Sequence, residues 1–508
     1  MSEHVRILPD DEHNRTLVER VHPPDWKNPE PAPKYNLVIV GAGTAGLVSA
    51  IGASTLGAQV AIVEKSLMGG DCLNFGCVPS KAVIRSSRVM GEVLKAAAYG
   101  INVVGKPDVD FAKVMERMRR LRAQISQNDS VERYISLGSH VFLGEGRFAD
   151  RHSLEVDGKI LRFRKAVIAT GARPAHPDIE GLSEAGYLTN ETVFSLTERP
   201  NKLAVIGGGP VGVELAQAFC RLGSAVTIIQ RNRQFLPRED RDAAGLLSEV
   251  LGREGVNCRL ETQVTKVTKT AGKKILYLTG PDGEETIEVD DILVGVGRIP
   301  NVEDLNLEVA GVVYDPRDGV KVNEFLQTTN KDIYAAGDVC YPYKFTHTAE
   351  ATARIVIQNA LFLKSARHTS LVIPWCTYTD PEIAHVGMYE KEALDKGIPV
   401  ETFTNSFKDV DRAVLDGEEE GFIKIHVKKG KSKILGATIV AKNAGDLLSE
   451  ITLAMVTGKG VKPMCRGMIH PYPTQSDIVK RTASQYYEKK MSPFLSKILK
   501  RWFYWKRK

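Results

Sequence analysis

Two cysteines separated by four residues, Cys72 and Cys77 in the segment GGDCLNFGCVPSK (69–81), are the side chains best placed to do chemistry. A close thiol pair can exchange electrons as dithiol and disulfide, or it can hold a metal. Zinc pairs usually have a second pair downstream, and Cys220, Cys258, Cys340, Cys376 and Cys465 are scattered, so redox chemistry is the stronger reading and no structural metal is expected. On an ideal helix, five steps leave two Cα atoms roughly 8–9 Å apart. A disulfide needs less than about 7 Å, so the helix must be broken or irregular between the two cysteines. Gly76 supplies that freedom, and Pro79 suits a first helical turn. The other five cysteines read as small, inert core thiols.

Two glycine loops offer a second kind of chemistry. Gly41, Gly43 and Gly46 form G-x-G-x-x-G, as do Gly207, Gly209 and Gly212. In this pattern the first glycine makes the tight turn, the second lets a pyrophosphate approach the backbone, and the third lets helix pack on strand. The phosphates then lie at the positive end of the helix. Glu64 ends the strand after the first loop, where a carboxylate can accept from both hydroxyls of an adenosine ribose. At the matching place after the second loop stand Gln230, Arg231 and Arg233. A carboxylate there would repel a 2′-phosphate and an arginine would bind it, so NADPH is expected over NADH.

These groups require two βαβ units to hold them. The stretches YNLVIVGAGTAGLVSA and NKLAVIGGGPVGVELA each run from an apolar strand through a glycine turn into a small-residue helix, and each continues to a second apolar strand. Between the units, residues 107–136 are charged with helical spacing, and from about Ile373 the pattern becomes that of a separate α+β domain. A length of 508 residues suggests about two to four domains. A chain 43% hydrophobic and 26% charged, without a long apolar run, reads as a globular protein with no transmembrane span. The net charge of +6 is modest for this size and does not argue for nucleic acid. No apolar core appears in MSEHVRILPDDEHNR, so no secretory signal is expected, and seven sparse cysteines fit a reducing, cytoplasmic setting.

The run CLNFGCVPSK, placed after such a glycine loop, resembles the active-site signature of the class I pyridine nucleotide–disulfide oxidoreductases. That family includes dihydrolipoamide dehydrogenase, glutathione reductase and mercuric reductase. The resemblance spans about residues 35–487. It is supported by IATGARP (168–174) and IYAAGDV (333–339). It implies an α/β fold with two Rossmann-like domains, for FAD and for NAD(P), and a C-terminal α+β dimerisation domain. The implied order is a polar tail (1–34), FAD domain (35–190), NAD(P) domain (191–310), FAD return segment (311–368), dimerisation domain (369–487) and a basic aromatic tail (488–508). Thr170, Gly171 and Asp338 are then FAD contacts, and Gly297 an NAD(P) contact. Lys81 and Glu214 match a lysine and glutamate that pair near the flavin. The implied mechanism is hydride transfer from NADPH to FAD, then electron transfer through Cys77 to a Cys72–Cys77 disulfide, with Cys72 meeting the acceptor of a homodimeric enzyme.

The chain departs from the thiol-exchanging members near its end. They carry a histidine before Pro-Thr and a glutamate five residues later, whereas IHPYPTQSDIV puts Tyr472 and Asp477 at those places. Tyrosine titrates near 10 and is a poor base for thiols. Mercuric reductases share this tyrosine, so the resemblance is strongest to that branch, with a soft metal ion or other small oxidant as acceptor, bound transiently at Cys72 and Cys77. Two mercury-handling features of that branch, a terminal vicinal cysteine pair and an N-terminal Cys-x-x-Cys domain, are not seen. A disulfide reductase using His470 as base is the alternative enzyme. A redox-responsive flavoprotein with a signalling or binding role is the alternative of another class. The segment MSPFLSKILKRWFYWKRK has the spacing of an amphipathic helix. It fits an anionic membrane surface, although packing of its aromatics on the neighbouring subunit is the preferred reading.

Overall fold

The computed structural model describes residues 7–105, 107–490 and 493–507. The chain divides into two units, one of residues 1–237 and 250–371, the other of residues 238–249 and 372–508.

In the first unit, the strand Tyr35–Val40 lies between Val60–Glu64 and Lys159–Ile168, parallel to both, with Leu37 beside Val60 and Lys165. Ser139–Leu143 extends the sheet beyond Val60–Glu64. Leu37, Val38 and Ile39 are fully buried, as expected for a central parallel strand covered on both faces. The chain returns much later to add Ile333–Ala335 beside Lys159–Ile168, completing a seven-stranded sheet. The intervening segment builds a second parallel sheet in the order Asn257–Arg259, Ala225–Ile229, Lys202–Ile206, Asp291–Val294. These are the two Rossmann-like layers expected from the repeated glycine loops.

The second unit carries a five-stranded antiparallel sheet, in the order Pro374–Thr377, Glu382–Gly387, Ile434–Ala441, Phe422–Lys428, Val400–Ser406. Its core includes Ile423, Ile425, Ile439 and, from the covering helices, Ile451 and Ile478. Residues 238–249 belong to this unit although the sequence places them inside the NAD(P) segment. Buried Glu239 accepts hydrogen bonds from Trp375 Nε1 at 2.7 Å and from the Tyr389 hydroxyl at 2.5 Å.

The front of the chain differs from expectation. Residues read as part of a polar tail form the helix Glu12–Val21, capped by Asp11, with Leu17 and Val21 fully buried. Arg122 on the helix Phe111–Ser126 donates to Asn14 Oδ1 and to the Asn74 carbonyl, both at 2.7 Å. Few apolar residues mark this short helix in the sequence, and much of its anchoring is polar. Among the described residues, no helix is long and apolar enough to cross a membrane.

Candidate active site

The cysteine segment breaks where the spacing required it. A short helix, Gly70–Asn74, carries Cys72, and a long helix, Cys77–Lys95, begins at Cys77 itself. Gly76 joins them at φ −119° and ψ −110°, where an added Cβ would lie 2.8 Å from Asp71 Oδ2. Cys72 is half-buried and Cys77 exposed.

The two thiols are unlike in acidity. Cys77 accepts a hydrogen bond from Cys72, which pulls its pKa down to about 6. The Thr346 hydroxyl, 3.3 Å from the sulfur, and the Lys81 ammonium act in the same direction. The position at the start of a helix also favours a thiolate. Cys72 moves the opposite way, well above the usual thiol range, through its bond to Cys77 and then burial. Cys77 is thus the thiolate and Cys72 the proton holder. Lys81, one turn along the same helix, pairs with buried Glu214 at 2.8 Å. Cys72 also lines a cavity of about 340 Å³ with Thr44, Leu47, Val78, Asp129 and Arg133. Burial pushes the Asp129 carboxyl up to about 6, with Arg133 opposing.

The first glycine loop has the geometry of a dinucleotide cradle. Gly41 adopts φ +102°, and an added Cβ would sit 2.5 Å from the Ala169 carbonyl oxygen. A Cβ on Gly46 would lie 1.9 Å from the Gly41 carbonyl oxygen, whereas one on Gly43 would have no heavy atom nearer than 3.7 Å. The helix Thr44–Thr55 starts here without a side-chain cap, leaving its first N–H groups for an anion. Buried Glu64 accepts from the N–H of Ala42 at 2.6 Å and of Ser66 at 2.8 Å, and burial raises its pKa. It lines a cleft with Gly41 and Thr170. Thr170, followed by Gly171 at φ +70°, donates to the Asn301 carbonyl at 2.6 Å. Asp338, whose pKa burial raises, has Arg298 Nε at 3.8 Å from its carboxylate. An open glycine, an uncapped helix start and two carboxylates along one sheet fit FAD.

The second loop repeats the steric pattern. Gly207 has φ +108°, a Cβ on Gly212 would meet the Gly207 carbonyl oxygen at 2.1 Å, and one on Gly209 meets nothing nearer than 3.9 Å. Gly297, at φ +125°, follows the strand Asp291–Val294. Gln230 is buried and accepts from the Gly208 N–H at 3.3 Å. Arg231 is exposed, while Arg233 pairs with Glu261 at 3.0 Å.

The residues near the C-terminal Pro-Thr do not form a pair. Tyr472 is 76% exposed and donates to Asp411 at 2.9 Å, which raises its pKa. Asp477 turns to Arg481 and Lys480, both at 2.5 Å. Burial works to raise the Asp477 carboxyl, but those two cations outweigh it and hold it below the usual range. His470 is buried, with Nε2 3.0 Å from Glu450, and its Nδ1 has no hydrogen-bond partner among the described residues. Of the scattered cysteines, Cys258 and Cys340 are pushed by burial to about 11 and about 12, in keeping with inert thiols.

Sequence reasoning missed Thr346, Asp71 and Arg298. Arg298 lies 3.3 Å from Asp71 Oδ2 and so links the cysteine segment to the Asp338 strand end. Of the three, Asp71 alone carries a local signal, since it stands beside Cys72 in the motif.

Comparison with known proteins agrees with this geometry. Residues 35–353 match the family described as pyridine nucleotide-disulphide oxidoreductase, and residues 373–483 match its dimerisation domain, which indicates a homodimer. A mercuric reductase of Staphylococcus aureus is 36% identical over 449 residues, covering 88% of this chain and 82% of that protein. A dihydrolipoyl dehydrogenase of Mycoplasma pneumoniae is 32% identical over 451 residues, covering 88% of this chain and 97% of that protein. Among solved structures, the Cu(II) complex of the HOCl-induced flavoprotein disulfide reductase RclA from Escherichia coli superposes with a TM-score of 0.79 at 26% identity, covering 88% of this chain and 99% of that one. The chain belongs to the pyridine nucleotide-disulphide oxidoreductase family, whose members depend on FAD and use NAD(P)H.

Proposed function

We propose that this flavoprotein reduces a soft metal ion, with NADPH as reductant and Cys77 and Cys72 as the electron relay. The observation that carries the reading is the polarised thiol pair without a base from the Pro-Thr segment. Cys77 is a thiolate near neutral pH, and Cys72 lines a cavity large enough for a small acceptor. At the place of the family histidine stands an exposed tyrosine bonded to Asp411, and His470 is buried beside Glu450. A disulfide acceptor needs its leaving thiol protonated, whereas a soft cation needs only thiolates. The names of two similar proteins, a mercuric reductase and a copper-bound disulfide reductase, support the same class of acceptor.

Bound FAD supplies the step between a hydride carrier and a thiol pair. The chain's own groups do the rest. Gly43 and the start of Thr44–Thr55 receive the pyrophosphate, Glu64 the ribose and Asp338 the ribityl chain. Lys81 and Glu214 fix charge beside the Cys77 helix, and Arg231, with Arg233, takes the 2′-phosphate of NADPH. Cys72 releases its proton when the metal binds. For mercury the balance is NADPH plus Hg²⁺ giving NADP⁺, H⁺ and elemental mercury.

The test is NADPH consumption without oxygen, in the presence of Hg²⁺ or Cu²⁺ with excess small thiol, compared with lipoamide and glutathione disulfide. Metal-dependent consumption, lost in Cys72→Ser and in Cys77→Ser, is expected. Rapid turnover of a disulfide that is abolished by His470→Ala would overturn the proposal in favour of a disulfide reductase. A reduced pair that persists with every acceptor would instead favour a redox-responsive role.

A further inference from the structure

The basic aromatic segment forms the helix Pro493–Lys506. Phe494, Ile498, Trp502 and Trp505 recur at steps of four, four and three, so they share one face of the helix. Their exposures are 73%, 46%, 50% and 67%. Lys500 and Arg507 fall on the opposite side, Lys497 and Arg501 on its flank, and no acidic residue occurs in the helix. The Trp502 and Trp505 rings lie 5.6 Å apart, and the Lys506 ammonium sits 5.4 Å from the Trp502 ring.

A wholly cationic segment needs an anionic partner. A second copy of this chain is a poor one, since it brings the same cations and a net charge of +6. An apolar face rich in tryptophan and phenylalanine, backed by lysine and arginine, is what an interfacial helix presents to anionic lipid. Tryptophan also favours the headgroup level, where one side of the ring is apolar and the other wet. We infer that the helix Pro493–Lys506 docks this flavoprotein on the surface of an anionic bilayer, with Phe494, Ile498, Trp502 and Trp505 inserted and the cations among the headgroups. In a homodimer two such helices act together, and that avidity turns a weak anchor into a useful one.

The experiment is co-sedimentation of the FAD-loaded, full-length protein with vesicles of phosphatidylcholine alone or mixed with phosphatidylserine. The dimer state is followed in parallel without lipid. Binding only to the mixed vesicles is expected, weakened by salt. It should fall about tenfold or more on deletion of residues 491–508, and likewise on combined Lys497→Glu, Lys500→Glu and Arg501→Glu. Both variants should keep the dimer and the NADPH-dependent activity. Equal binding to neutral vesicles, no binding to either kind, or loss of the dimer in the variants would each overturn the inference. The last outcome would identify the helix as a subunit contact.

Discussion

The two glycine loops are nearly superimposable in logic and diverge one strand later. In both, the first glycine is left-handed and the third is pressed on a carbonyl, while the second faces open space. After the first repeat the chain enters Glu64 and then the cysteine helices. After the second it enters Gln230 and an arginine-bearing loop. The glycines set where a nucleotide lies, and the residues after the second strand set which nucleotide it is and what chemistry it meets. Fold and specificity are thus written in different stretches of the same repeat.

The largest expected effect breaks the repeat at its chemical end. Cys77→Ser should lower NADPH-driven metal turnover by at least about a thousandfold, leaving the glycine loop and bound FAD intact. Next come the glycines themselves. Gly46→Ala and Gly212→Ala force a Cβ onto a carbonyl oxygen and should cost about 3 kcal/mol or more in chemical unfolding. Gly43→Ala and Gly209→Ala should cost under about 0.5 kcal/mol and show their defect in coenzyme affinity instead. Equal losses at all four would mean that the close approach at the third glycine does not set the cost. Arg231→Ala should raise KM for NADPH about tenfold with little change for NADH, and more than Arg233→Ala, because Arg233 is held by Glu261.

The smallest effect concerns acidity. In dithiothreitol-reduced protein, alkylation of Cys77 should have its midpoint near pH 6, against about 8.5 for an ordinary thiol. Thr346→Val should move that midpoint upward by less than about one pH unit. Because the folded pKa is depressed, the stabilising contribution of the thiolate is complete above the ordinary thiol range. It is lost as pH falls through about 6.

The parts legible in the sequence are those whose signal is local. Glycine spacing after an apolar strand, and a glycine between two cysteines on one short segment, are constraints that neighbouring residues impose on each other. Thr346 reaches Cys77 from 269 residues away, and nothing in FTHTAE marks its hydroxyl for that sulfur. Tyr472 is legible as a replacement for histidine, but its bond to Asp411 is not. Arg233 reads as a phosphate ligand, while its ion pair with Glu261 depends on a strand end that only the fold brings near. Residues 12–21 read as tail because their anchoring is mostly polar and lies on the partner helix.

That front helix has a practical side. Arg122 is buried, and its guanidinium spans from Asn14 to the carbonyl of Asn74, the last residue of the short helix that carries Cys72. The helix Glu12–Val21 therefore braces the segment that carries Cys72. Trimming the chain to Tyr35 to obtain a tidier core would leave the buried Arg122 short of a partner, and Arg122 holds the carbonyl of Asn74, two residues along the chain from Cys72.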